Sequence, residues 1–136
     1  MPITNLKIAA AIIMNTSGET LLVRKHGTTA FMQPGGKIDA NETPTTALCR
    51  ELNEELGLTV LPGELVYAGN YRAIAANEPD TEVDAELFWF RFGGVMHIGA
   101  EIAEARWVYP DKPAVELAPL TRDAALPLAA DYVRHA

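Results

Sequence analysis

The stretch from Thr43 to Gly57 constrains this chain more than any other, because it gathers three carboxylates where a helix tolerates them least. Thr43 is a natural N-cap, Pro44 suits the first helical turn, and Gly57 is a natural C-terminal stop. The spacing predicts a helix over Pro44 to Leu56, about 20 Å long at its usual rise. Leu48, Leu52 and Leu56 recur at every fourth position and form an apolar stripe. Glu51, Glu54 and Glu55 lie beside it, within about 100° of arc. Like charges at i,i+3 and i,i+4 repel by roughly 0.2–0.5 kcal/mol per pair. The negative end of the helix dipole opposes them again. A bound divalent cation would remove both penalties.

The remaining chemistry is consistent with such a site. Oxygen-only ligands select a hard ion, so Mg²⁺ is expected, with Mn²⁺ as its substitute. His26, His97 and His135 show no ligand spacing and stay unassigned. Pro34-Gly35-Gly36 reads as a tight turn whose bare backbone, at Gly35 above all, can approach an ion or a phosphate closely. Lys37 follows it as a candidate phosphate contact.

At 136 residues, with 49% hydrophobic and 21% charged content, the chain matches one compact domain over 1–136. A net charge of −7 argues against a footprint on a nucleic acid polymer, which calls for a basic face. A small phosphorylated ligand remains open, since a cation can neutralise it locally. The one cysteine, Cys49, excludes an internal disulfide and reads as a space-filling residue in a reducing compartment. The apolar run Ile8 to Met14 is too short to span a bilayer and no A-x-A cleavage pattern follows. A first core strand, no membrane contact and a cytoplasmic setting are expected.

Strands are expected at Leu6 to Met14, Thr20 to Arg24, Leu65 to Arg72, Val83 to Phe92 and Ala105 to Tyr109. Phe31 to Gln33 reads as a short extended piece, and Pro113 to Leu126 as a turn or short helix. A last helix is expected at Leu128 to His135, with Pro127 breaking the chain before it. The fold class is then α/β (α+β), a mixed β-sheet sandwiched between helices.

Gly36, Glu42, Arg50, Glu51, Leu52, Glu54, Glu55, Gly57 and Leu58 stand in the order G-x5-E-x7-R-E-U-x-E-E-x-G-U, with U aliphatic. This segment, 36–58, resembles the Nudix box, and a chance match is on the order of 10⁻⁷ at average compositions. The likeness extends to the strands around it and is similar throughout to a MutT-type Nudix domain. The resemblance implies Mg²⁺-dependent hydrolysis of a phosphoanhydride bond in a nucleoside diphosphate linked to another moiety, by a monomer or homodimer. It implies Glu51, Glu54, Glu55 and the Gly36 carbonyl as metal ligands, Arg50 as the group orienting them, and Glu42 in support. An acid from outside the box is also implied. Glu101 falls at the matching place, with Glu82, Asp84, Glu86 and Glu104 as competitors. Glu51 or Glu101 would take the proton of the attacking water.

Two departures bear on the substrate. Phe31 stands where many relatives have tryptophan, and no asparagine follows Asn77 to read a purine. Tyr71, Phe88, Phe90 and Trp107 are candidates for stacking on a base. The loops Gly27 to Ala30 and Arg72 to Thr81, and the segment Leu117 to Thr121, are candidates for pocket walls. A catalytically silent nucleotide sensor and an isomerase on the same fold are the alternative readings.

Overall fold

The computed structural model describes residues 2–135. Its strands are β1 (Thr4–Met14), β2 (Thr20–Lys25), β3 (Gly35–Lys37), β4 (Val66–Ile74), β5 (Thr81–Arg91) and β6 (Ile102–Val108). Its α-helices are α1 (Pro44–Leu56) and α2 (Leu126–Arg134). The strands form one mixed sheet in the order β4-β5-β1-β2-β6, with β3 also on β1. β1 and β5 run parallel from Thr4 opposite Thr81 to Met14 opposite Arg91.

β1 carries a continuous apolar run because both of its faces are covered. Ala9, Ala11 and Ile13 pack under Leu48, Leu52 and Leu56 of α1. Ala10, Ile12 and Met14 meet Leu120, Ala124, Ala125 and Ala129 on the opposite face. The expected sheet between helices is what forms. α1 has the expected bounds, with the Thr43 hydroxyl accepting from the Thr46 N–H and Gly57 left-handed at φ 67°.

Two segments depart from their local signals. Pro34-Gly35-Gly36 is not a tight turn: Gly35–Lys37 is extended and pairs antiparallel with Ile8 to Ala10 of β1. The reason is long-range. β1 and β2 pair only at Met14 and Thr20, then part, while Met32 bridges to Val23 of β2. The chain from 31 to 37 therefore crosses from β2 to β1 and fills the gap between them. Pro127 does not break the terminal helix either. A π-helical turn at Thr121–Ala125 runs straight into α2, whose Leu126 N–H bonds the Thr121 carbonyl. Proline lacks an N–H and crowds the carbonyl four residues back, and a wider turn relieves that crowding. Strand ends differ by a few residues, β6 beginning at Ile102 rather than Ala105.

Candidate functional site

Arg50 stands at the centre of the acidic cluster. Its Nε donates to Glu42 Oε2 at 2.9 Å and Nη2 to Glu42 Oε1 at 2.8 Å. Nη1 donates to Glu51 Oε1 at 2.9 Å and reaches Glu54 Oε1 at 3.5 Å. Nη2 also donates to the Lys37 carbonyl at 3.1 Å and lies 3.3 Å from Asp39. These bonds hold the Glu42 carboxyl down at about 2 and push the Arg50 guanidinium up.

The three helical glutamates straddle the edge of the buried face of α1. Glu55 is 3% exposed and accepts from the Gly35 N–H at 3.1 Å. Burial pushes its carboxyl up to about 8, against the pull of that N–H. Glu51 is half-buried, and desolvation raises its carboxyl against the Arg50 hydrogen bond. Glu54 stands at the open side, its side chain 58% exposed. Gly36 makes room for Glu51: a Cβ there would lie 2.5 Å from its carboxylate. In the backbone expected to approach an ion or a phosphate, the Gly35 N–H is taken by Glu55.

Glu101 reaches the same place by a route that local patterns do not reveal. The chain before β6 docks on the end of α1, with the His97 N–H on the Leu56 carbonyl and the Gly99 N–H on the Glu55 carbonyl. These satisfy carbonyls that a helix end leaves open. Glu101 then lines one cleft with Gly35, Gly36, Lys37, Glu51 and Glu54. Glu82 and Asp84 turn instead to Arg72, Glu86 to Tyr67 and Asn70, and Glu104 to Arg24 and Arg106. None of these four competitors lines the cleft.

The cleft has a volume of about 460 Å³ and a lining of two unlike kinds. Carboxylates and Lys37 line it together with Leu6, Ile8, Val83, Ala118 and Leu120, and Ile8 stands directly opposite Lys37 in the sheet. Ile74 to Glu78 form a further wall, whereas Gly27 to Ala30 do not reach it. The four candidate stacking aromatics do not reach it either. Phe88 and Phe90 are core, and Tyr71 and Trp107 pack against it. Cys49, on α1, packs against the core, its thiol pushed up by burial.

Sequence reasoning missed Lys25 and Gln33, which line the cleft, whereas Ala118, Leu120 and Thr121 line it from the segment expected to do so. A register shift between Arg24 and Lys25 re-aims the end of β2, and no local pattern announces it. Gln33 and Thr121 are hydrogen-bonded across 88 positions of sequence.

Among the described residues, no three His, Cys, Asp or Glu side chains already converge as a metal-binding group. Arg50 engages Glu51 and Glu54, and Glu55 is turned to Gly35. The donor chemistry nevertheless fits a hard divalent cation. It is all oxygen, and the Glu51 carboxylate lies in the space that a side chain at Gly36 would fill.

The NUDIX domain model matches residues 4–130. The chain belongs to the Nudix family. A MutT-like protein of Streptomyces ambofaciens is 30% identical over 114 residues, 80% of this chain and 67% of that one. An 8-oxo-dGTP diphosphatase of Haemophilus influenzae is 45% identical over 64 residues, 44% of this chain and 47% of its own length. That match thus spans about half of the curated relative. The crystal structure of a MutT protein from Methanosarcina mazei Go1 superposes with a TM-score of 0.75, covering 99% of this chain and 97% of that one at 23% identity. Likeness at that identity shows the fold. No helix among the described residues of this Nudix domain is long and apolar enough to cross a membrane.

Proposed function

We propose that this Nudix domain hydrolyses the phosphoanhydride bond of a nucleoside diphosphate linked to another moiety, with Mg²⁺ as cofactor and Mn²⁺ as its substitute. The observation that carries the reading is one cleft lined both by carboxylates with Lys37 and by apolar side chains. A nucleotide calls for both, having a charged diphosphate and a flat, largely apolar base. Relatives named as a MutT-like protein and an 8-oxo-dGTP diphosphatase support the same reaction class.

Glu51, Glu54, Glu55, Glu101 and the Gly36 carbonyl would hold the metal. When bound, the cation offsets phosphate charge and makes water more acidic. Arg50 orients Glu51 and Glu54 through charge-assisted hydrogen bonds. Lys37 faces the diphosphate, and Gly35 lets the backbone pass close beside it. Glu51 or Glu101 takes a proton from water as its oxygen bonds to phosphorus and the bridging P–O bond breaks. Two phosphorylated products leave. The substrate is a small molecule, and the single cysteine favours a cytoplasmic setting for the reaction.

The test is product analysis with Mg²⁺ over nucleoside triphosphates, ADP-ribose, dinucleotide polyphosphates and nucleotide sugars. Turnover of at least one class, abolished in Glu54→Gln, supports the reading. Nucleotide binding without turnover by the unaltered protein overturns it in favour of a sensor.

A further inference from the structure

Among the described residues, one buried side-chain nitrogen or oxygen has no hydrogen-bond partner: Nε2 of Gln33. Gln33 is 6% exposed, and its Oε1 accepts from the Thr121 hydroxyl at 2.9 Å. Thr121 is fully buried on the π-helical turn before α2. One side of the amide is thus held while the other is left open. An unpaired buried donor disfavours folding by roughly tenfold or more, so a group kept in that state calls for a reason. Pairing with Thr121 does not supply one, because it uses the amide oxygen alone and leaves the nitrogen open.

Location supplies one. Gln33 and Thr121 both line the cleft, and Ile8, Val83, Ala118 and Leu120 around them are apolar. In such walls a few placed polar groups fix which ligand is accepted. Gln33 is three residues from Gly36, at most ~11 Å along extended chain. That spacing is comparable to the span from a nucleotide's diphosphate to its base.

We propose that Gln33 reads the nucleobase: held by Thr121, its amide donates to an acceptor on the base edge. Bases with a carbonyl there, as guanine and uracil have, are then favoured over adenine and cytosine, which present an amino group. This rests on the cleft taking a nucleotide. Thr121 is the positioning residue: with its hydroxyl donating to Oε1, Nε2 is the amide atom left for the ligand. With the amide reversed, the open atom would be an acceptor and the preference would invert.

The experiment compares the unaltered protein with Gln33→Met, which conserves volume and removes both polar atoms. It reads kcat/KM for GTP, UTP, ATP and CTP with Mg²⁺, and Tm without nucleotide. We expect GTP and UTP to lead by roughly tenfold or more, and the lead to shrink to within about threefold in Gln33→Met. Tm should change little, since the orphan donor is gone but the buried Thr121 hydroxyl loses its acceptor. An unchanged ranking, or a lead for ATP and CTP, overturns the proposal and leaves the hydrolase reading standing. So does a fall in Tm with the ranking intact. Should no nucleotide be hydrolysed, the hydrolase reading fails separately. The Gln33 side-chain amide resonances then decide: a shift with GMP that AMP does not produce supports the proposal, and no shift with either overturns it.

Discussion

Arg50 grips Glu42 with two parallel hydrogen bonds, 2.9 Å from Nε and 2.8 Å from Nη2, while its remaining nitrogen turns to Glu51. The planar fork allows one side chain to serve Glu42 and Glu51 together, and a lysine ammonium cannot. Arg50→Lys should lower kcat/KM by roughly 10–100-fold and raise the Mg²⁺ needed for half-maximal rate. The pair also gives a stability signature. Glu42 has a folded pKa of about 2 against an ordinary 4.5, so its contribution is fully present above about 4.5. That contribution disappears as pH falls toward 2. The Tm gap between the unaltered protein and Arg50→Lys should therefore narrow from pH 6 to pH 3; a constant gap would contradict this account.

The adjacent glycines should fail in different ways. A Cβ on Gly35 would lie 2.2 Å from the Ala9 carbonyl, and its φ of +150° already disfavours any side chain. The obstacle is the backbone of β1, which cannot rotate away, so Gly35→Ala should destabilise the fold by about 3 kcal/mol or more. At Gly36 the obstacle is the far end of the Glu51 side chain, which can rotate away. Gly36→Ala should keep its melting temperature within a few degrees yet lose activity by roughly a hundredfold, because Glu51 is displaced. Thermal melts beside initial rates separate the two cases.

Glu55 should weaken the metal-free protein at neutral pH. Its folded pKa of about 8 exceeds the ordinary 4.5, so between those values the folded state binds the extra proton. Stability then falls as pH rises through that window, by up to a few kcal/mol. Glu55→Gln keeps an acceptor for the Gly35 N–H and removes the titration. With EDTA present, it should melt higher than the unaltered protein at pH 8 and nearly level at pH 4.5. Mg²⁺ should reverse the order at pH 8, because a bound cation stabilises only the carboxylate form. Parallel melting curves over the whole range would remove burial of Glu55 as the cause.

How far the sequence foretold the site depends on how local each determinant is. α1 was legible to the residue because Thr43, Pro44, the leucine stripe and Gly57 all act within one or two turns. The glutamates came with it, since helix geometry fixes their arc. β3 was not legible: Gly35-Gly36 is a turn signal by composition, and only the parting of β1 from β2 makes it a strand. Pro127 misled for the same reason, its helix being held by packing of Leu126 and Ala129 rather than by propensity. Gln33 and Thr121 are ordinary polar residues until the fold joins them across 88 positions.

Glu101 depends on the loop that carries it, and this yields the sharpest comparison among the candidate acids. The Gly99 N–H bonds the Glu55 carbonyl at 2.9 Å, and a Cβ on Gly99 would lie 2.1 Å from the Glu54 carbonyl. Any side chain there must lift the loop from the end of α1 and carry Glu101 away from the cleft. Glu101→Gln should lower kcat by roughly 10²–10⁴-fold if its carboxylate takes the proton of water. Gly99→Ala should reproduce most of that loss without touching the carboxylate itself. Because both act on one group, the double variant should lose little more than Glu101→Gln alone, a strongly non-additive cycle. Glu104→Gln provides the contrast, since Glu104 pairs with Arg24 and Arg106 away from the cleft and its loss should leave the rate unchanged. Additive losses for Gly99 and Glu101, or a large loss for Glu104, would move the outside acid away from position 101.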